Sequence, residues 1–332
     1  LKIANNHSVC RGPDNLTNYV DTEDININFW FNRLAIIDLS EKANQPMISK
    51  DSKSILMFNG EIYNSDELRK NLEEDGVKFR TSHSDTETLL EGLDKFGIEF
   101  INKLEGQFAF AYLNKNTKKI YLARDRLGQK PLYLYFNDKS LTFCSNLKSI
   151  LEIKKDINID NKSIQQYLAY GVNFAPRTLF KEIQKIMPAT YLEIDFSDNV
   201  FVKEEKKYWE PDLYLDNKNF DFKEFQAVFS KSVSKRTVSD VPVATYLSGG
   251  IDSTSIVKKL NDLQYPINTF SVIVDNKEYN EKEATTSFTT NYQLNYNYNK
   301  QHKILFIIYV IMSTLVEIKK MIESLNKTRQ VE

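Results

Sequence analysis

The sequence predicts an α+β sandwich, antiparallel strands layered with helices, followed by a shorter α/β unit that begins a parallel sheet. Three observations carry this. From Phe29 to about residue 205, short apolar runs alternate with turn signals, as in SILMFNGEIYN, GQFAFAYLNKNTKKIYLARD and KSLTFCSN. Two amphipathic helices interrupt those strands: Asp66 to Asp75 with Leu68 and Leu72, and Thr86 to Phe96 with Leu89, Leu90, Leu93 and Phe96 at helical spacing. Past about Tyr208 the order changes to helix, strand, helix, strand.

Asn114-Lys115-Asn116 and Asn137-Asp138-Lys139 each separate two strand-like runs and read as hairpin turns, so neighbouring strands pair consecutively. After Pro188-Ala189-Thr190 a charged stretch, KEEKKYWEPD, suits an exposed connection. The first domain is therefore expected over 1–207, the second over 208–288 and a divergent tail over 289–332. In the second, Phe222 to Val238 reads as a helix, Val243 to Leu247 as a strand, Ser253 to Leu263 as a helix and Ile267 to Val274 as a strand. The tail opens on the Asn-, Tyr- and Thr-rich TTNYQLNYNYNKQ and shows no further βαβ unit.

Composition narrows the function classes. Lys plus Arg total 44 against 45 Asp plus Glu, which leaves no positive surplus for a phosphate backbone and argues against nucleic acid as a partner. Cys10 and Cys144 are too few for a disulfide framework and fit a reducing cytoplasm; His7, His83 and His302 lack metal-ligand spacing. The longest apolar run, Ile304 to Val316, is short of the roughly 20 residues that cross a membrane and is expected to be a buried or misplaced helix, with a membrane anchor as the lesser alternative.

Tyr246-Leu247-Ser248-Gly249-Gly250-Ile251-Asp252-Ser253-Thr254 joins an apolar strand to a helix through paired glycines and hydroxyls. Glycines let backbone N–H groups approach anionic oxygens, and the helix adds its positive end. Ser248 and Ser253 can donate further bonds. Asp252 would repel phosphate unless a cation lies between them, which points to Mg²⁺ on a nucleotide. No Gly-Lys-Ser/Thr follows, so this is not a Walker A loop; the bland reading is a strand–turn–helix corner that uses its glycines for packing. Phe58-Asn59-Gly60-Glu61-Ile62-Tyr63-Asn64 sets an amide, a glycine and a carboxylate in succession, and by itself Asn-Gly is equally a hairpin turn.

SGGIDS resembles the pyrophosphate loop of the ATP pyrophosphatase family, and RTVSDVPVATYLSGGIDST is similar to its asparagine synthetase branch. Arg11-Gly12-Pro13-Asp14, Arg33-Leu34-Ala35-Ile36-Ile37-Asp38, Asn44-Gln45-Pro46-Met47, FNGEIYN, Ser84-Asp85-Thr86-Glu87 and Ala123 to Tyr133 (ARDRLGQKPLY) resemble, in matching order, the glutaminase domain of asparagine synthetase. The resemblance covers about residues 1–285. It implies an N-terminal-nucleophile hydrolase fold, a class II glutamine amidotransferase, followed by the start of a PP-loop domain.

The same resemblance implies roles. Asn59 and Gly60 would form an oxyanion hole, in which donors stabilise the tetrahedral intermediate of glutamine hydrolysis. Arg33, with Leu34, Ala35, Ile36 and Ile37, would hold the α-carboxylate of glutamine, for which a bidentate guanidinium is apt. Glu61 and Asp85 would hold its α-ammonium group. Tyr246, Ser248 and Val272 would line the ATP site with Gly249, Gly250, Asp252 and Ser253. Aspartate would be the acceptor, amidated through β-aspartyl-AMP with ATP and Mg²⁺, and a homodimer is compatible with the resemblance.

In the family the nucleophile is an N-terminal cysteine whose α-amine acts as base. Here residue 1 is Leu1, and Cys10 and Cys144 read as small packed residues. The resemblance therefore implies a chain short of its first strand, its nucleophile and a downstream Ser-Gly-x-Gly-x-Asp-Glu motif, with negligible glutaminase activity as it stands. The alternatives are an amidotransferase acting on another carboxylate, such as a polysaccharide sugar acid, and a non-catalytic remnant that binds glutamine or a partner.

Overall fold

A computed structural model describes residues 6–22, 26–137, 140–197, 202–211, 221–266, 268–272 and 295–299. The run 304–316 and the Asp138-Lys139 part of the second turn lie outside the described residues. The chain forms two compact units, Leu1–Phe220 with Val238–Val241, and Asp221–Thr237 with Pro242–Glu332.

In the first unit the elements run β1 (Asn15–Asp21), β2 (Ile27–Arg33), β3 (Met47–Ile48), β4 (Ser54–Ile62), α1 (Ser65–Glu74), α2 (Asp85–Phe96), β5 (Gly106–Asn114), β6 (Lys119–Arg124), β7 (Tyr133–Asn137), β8 (Ser140–Cys144), α3 (Leu147–Ile153), α4 (Asn161–Tyr170), β9 (Ile183–Lys185), β10 (Thr190–Asp195) and β11 (Val202–Lys207). A six-stranded antiparallel sheet has the order β11-β10-β6-β5-β4-β3. The second layer is divided, among the described residues, into the β1-β2 pair and the sheet β8-β7-β9. Strand β11 and Tyr208 belong to this unit; the Tyr208 hydroxyl donates to Arg124 O at 2.8 Å.

Strand β5 shows why the layers form. Phe108 to Leu113 are all buried, because the strand is covered on both faces. With the two-residue period of a strand, Phe108, Phe110 and Tyr112 enter one core with Leu68 and Leu72 of α1 and Leu89, Leu90 and Leu93 of α2. Ala109, Ala111 and Leu113 enter the other with Ile27 and Phe29 of β2 and Leu134 of β7. Large side chains fill the helix side, and small ones let the second layer approach.

A buried carboxylate closes the loop after β6. Asp125 is inaccessible to solvent and accepts from the N–H groups of Phe108 (3.2 Å), Leu127 (3.1 Å), Gln129 (2.9 Å) and Lys130 (3.0 Å). Such a set compensates the cost of removing the group from water. Arg124 donates to the carbonyls of Lys130, Ile186 and Gly128.

The second unit comprises α5 (Phe222–Lys235), β12 (Ala244–Tyr246), α6 (Ile251–Asp262), β13 (Asn268–Val272) and β14 (Asn295–Asn299). All its strand pairs are parallel, in the order β12-β13-β14. Strand β14 falls where the composition gave no strand signal. Asn295-Tyr296-Asn297-Tyr298-Asn299 alternates, but asparagine is depleted in strands, and the neighbouring strand supplies the pairing.

Leu90 is fully buried in the helix-side core, whereas Leu127 is 72% exposed. Leu90→Ala should lower stability by about 2–5 kcal/mol and Leu127→Ala by less than about 0.5 kcal/mol. Urea unfolding of the two variants followed by circular dichroism measures the contrast; equal midpoints would mean that α2 does not pack as described.

Candidate functional site

The FNGEI segment lies within β4 and pairs with β5, Asn59 opposite Ala109 and Gly60 opposite Phe108, so Asn59-Gly60 is not a hairpin turn. A Cβ on Gly60 would come within 2.1 Å of Gln107 O and 2.7 Å of Phe108 Cα, so only glycine fits. Beside it Asn59 Nδ2 is buried with no hydrogen-bond partner among the described residues. An amide donor in that state costs free energy unless something binds to it.

Asn59 borders a cavity of about 790 Å³. Its walls include 26–32 along β2 and 140–144 along β8. β2 pairs only with β1, and β8 only with β7, among the described residues, so an open edge of each strand remains. Cys144 lines this cavity, whereas Cys10 is exposed to solvent and so is not the packed residue the sequence suggested.

Arg33 ends β2 and is only 6% exposed. Its Nη1 donates to Ser40 O at 3.0 Å and to Asn44 Oδ1 at 2.9 Å; its Nη2 donates to Ile37 O at 3.3 Å and to Asp38 O. The guanidinium therefore draws residues 34–40 around itself. Asp14 fixes the near end of that loop, accepting from Ala35 N–H at 2.8 Å while its own N–H donates to Arg33 O at 3.0 Å. Burial lowers the Arg33 pKa, against the opposing pull of the Asp38, Asp85 and Asp14 carboxylates.

Asp85 is the first residue of α2 and is buried, with Oδ2 accepting from Ile62 N–H at 3.1 Å. Burial pushes its carboxyl up to about 6, outweighing hydrogen bonds from Ile62 and Thr86, and the Glu61 carboxylate adds to the rise. Arg33 and Glu61 thus both act electrostatically on the position of Asp85. The fold brings Arg33, Asp85 and Glu61 around one end of β4, with Asn59 and Gly60 following on the same strand.

Sequence reasoning assigned no role to several residues that build this arrangement. Gln45 is buried, accepting from Phe58 N–H at 2.6 Å and donating to Thr86 Oγ1 at 3.4 Å, so it ties β4 to α2. Asn44 holds Arg33. Glu87, inaccessible to solvent, accepts from Arg80 N–H (2.8 Å), Thr81 N–H (2.7 Å) and Thr81 Oγ1 (2.5 Å). Burial pushes Glu87 upward, but these donors prevail and its pKa is lowered. Ser84-x-x-Glu87 has the form of a capping box, and Ser84 does cap α2; Glu87 instead reaches outward to 80–81. The available signal was a run of polar residues, Ser84 to Thr88, where an amphipathic helix would begin to show apolar ones.

In the second unit the loop from Leu247 to Gly250 joins β12 to α6. Gly249 has φ +76°, a left-handed conformation that favours glycine. Ser248 Oγ and Ser253 Oγ lie 3.0 Å apart, and Ser253 Oγ donates to Gly250 O at 3.2 Å. Gly250 caps α6 without a side-chain bond, which leaves the first-turn N–H groups to an incoming anion. Tyr246 is 79% exposed at the end of β12, and Val272 ends β13. These features fit a phosphate-bearing ligand. Among the described residues no group of three or more His, Cys, Asp and Glu side chains could hold a metal ion.

A family profile described as glutamine amidotransferase domain matches residues 2–209, and one described as asparagine synthase matches residues 224–311. The chain belongs to the asparagine synthetase-like glutamine amidotransferase family. Its first unit accordingly is a glutamine amidotransferase domain, and its second falls within an asparagine synthase domain. It is 37% identical over 285 residues to asparagine synthetase (glutamine-hydrolysing) 1 of Bacillus subtilis, covering 86% of this chain and 44% of that protein. To asparagine synthetase (glutamine-hydrolysing) 3 of the same organism it is 32% identical, covering 82% and 45%. To the amidase chyE of Penicillium rubens it is 31% identical, covering 76% and 37%. The chain thus spans less than half the length of these relatives.

The raised pKa of Asp85 has a sign that can be tested. Between about 4, its unfolded value, and about 6 the folded protein holds the extra proton. The contribution of this group to stability is therefore greatest below pH 4 and falls by on the order of 3 kcal/mol as pH rises through 6. Asp85→Asn should remove that fall, which urea unfolding of both proteins between pH 4 and pH 7 will measure; parallel pH profiles would refute the buried, protonated carboxyl.

Proposed function

We propose that the first unit is a glutaminase that releases ammonia from glutamine, and that the second is the beginning of an ATP-dependent ligase domain that passes the ammonia to aspartate through β-aspartyl-AMP. The observation that carries the first half is the buried, unpartnered Asn59 Nδ2 beside Gly60 on the wall of the cavity. A donor already stripped of water gains most when negative charge develops on a substrate oxygen, as it does on the amide oxygen during attack.

In this reading the α-ammonium of glutamine meets Glu61 and Asp85, and its α-carboxylate meets Arg33. Because both terminal nitrogens of Arg33 are engaged by the loop, the carboxylate replaces part of that acceptor set. Asp85 pairs with ammonium only when ionised, so affinity for glutamine rises as pH passes about 6. The attacking group in this reading is a cysteine whose own free α-amine acts as base. Neither Cys10 nor Cys144 has an α-amine to act as its base.

ATP with Mg²⁺ would supply adenylation of the acceptor. Ser248, Gly249, Gly250 and Ser253 would surround its phosphates, Asp252 would face the cation, and Tyr246 and Val272 would line the nucleotide.

The test is isothermal titration with glutamine beside an ammonia-release assay on a version extended at Leu1 by a strand beginning Cys-Gly. Saturable binding that Arg33→Ala abolishes, and ammonia release that appears on extension, are expected. Asn59→Ala in the extended protein should lower kcat by about 10²–10³-fold with little change in binding. A folded chain that binds no glutamine with or without the extension would leave the non-catalytic reading.

A further inference from the structure

Asp240 belongs to no part of the site described so far. It sits in Ser239-Asp240-Val241-Pro242, in the short segment Val238–Val241 that packs with the first unit. Its Oδ2 accepts from the backbone N–H of Asp38 at 2.7 Å and lies 2.6 Å from His83 Nε2. The N–H of Asp240 donates to Ile36 O at 2.9 Å.

Those contacts fall on the two halves of the glutamine site. Ile36 and Asp38 belong to the loop whose carbonyls at Ile37, Asp38 and Ser40 hold the Arg33 guanidinium. Asp38 has φ +52°, a conformation that costs a non-glycine residue free energy and persists where surrounding contacts enforce it. Its own carboxylate is turned inward to Ser40, with Oδ1 accepting from Ser40 N–H (3.0 Å) and Oγ (2.6 Å), so the support for its N–H comes from Asp240. His83 directly precedes Ser84, which caps α2, and Asp85, the first residue of that helix.

We propose that Asp240 is a positioning residue for the glutamine site: with His83 it clasps the Arg33 loop to the start of α2. The clasp sets the spacing between the group that meets the α-carboxylate and the group that meets the α-ammonium. A hydrogen bond from a backbone N–H to an ionised carboxylate is stronger than a neutral one, whereas the His83 contact is partly exposed and contributes less. The proposal rests on the glutamine reading above.

The experiment uses the whole chain with Asp240→Ala and Asp240→Asn, and follows amide hydrogen exchange at Asp38 beside titration with L-glutamine. Asp240→Ala should speed exchange at Asp38 and weaken glutamine binding, each by about tenfold, with Leu90 amide protection unchanged as a control for global unfolding. Asp240→Asn, whose Oδ1 still accepts from Asp38 N–H, should stay within about twofold of the native chain in both. The proposal is overturned if Asp240→Ala leaves Asp38 exchange unchanged, if it speeds exchange without weakening glutamine binding, or if Asp240→Asn does as much damage as alanine. If the native chain binds no glutamine while Asp240→Ala still speeds Asp38 exchange, the glutamine reading falls and the loop clasp stands.

Discussion

The antiparallel ladder between β4 and β5 is the constraint around which the first unit is arranged. It pairs each of the nine residues from Ser54 to Ile62 with a residue from Asn114 to Gly106. Because β5 is buried on both faces, it cannot shift by one residue without exchanging its aromatic and small-residue faces. That register puts Asn59 opposite Ala109 and Gly60 against Gln107–Phe108, where a side chain on Gly60 would collide with backbone. Asn59 and Gly60 are thus located by the packing of the two layers.

Around the end of β4 the protein buries an unusual set of polar groups, Arg33, Gln45, Asp85 and Glu87. Most are answered within the fold: Arg33 by loop carbonyls, Gln45 by Phe58 and Thr86, Glu87 by Arg80 and Thr81. Asn59 Nδ2 is a donor left open beside the cavity among the described residues, and Asp85 is held toward its neutral form by burial. Satisfied groups give the site its rigidity, and these two are where a charged, hydrogen-bonding ligand gains most. In the second unit Gly250 caps α6 without a side-chain bond, an arrangement that suits an anion at a helix start.

Much of both sites was legible in the sequence because its signals are contiguous. FNGEI, the Ser84 to Glu87 run and SGGIDS each carry their chemistry in a few adjacent residues, and the helices α1 and α2 begin within one residue of where their apolar spacing puts them. The βαβ order of the second unit followed from the same periodicity. Strand β14 did not, since its polar alternation carries no hydrophobic signal and its pairing comes from β13.

What the sequence determined by itself was the identity and order of the candidate groups: an amide and a glycine on one strand, an arginine, two carboxylates and a glycine-rich loop. Tertiary structure alone decided how they are held. Arg33 turns inward on the loop that follows it, Gln45 joins β4 to α2, and Asp240 reaches Asp38 across 202 positions of chain. Local spacing reports contacts within a turn or a strand. A hydrogen bond between distant segments depends on the packing that brings them together, and the pattern on either side does not record it.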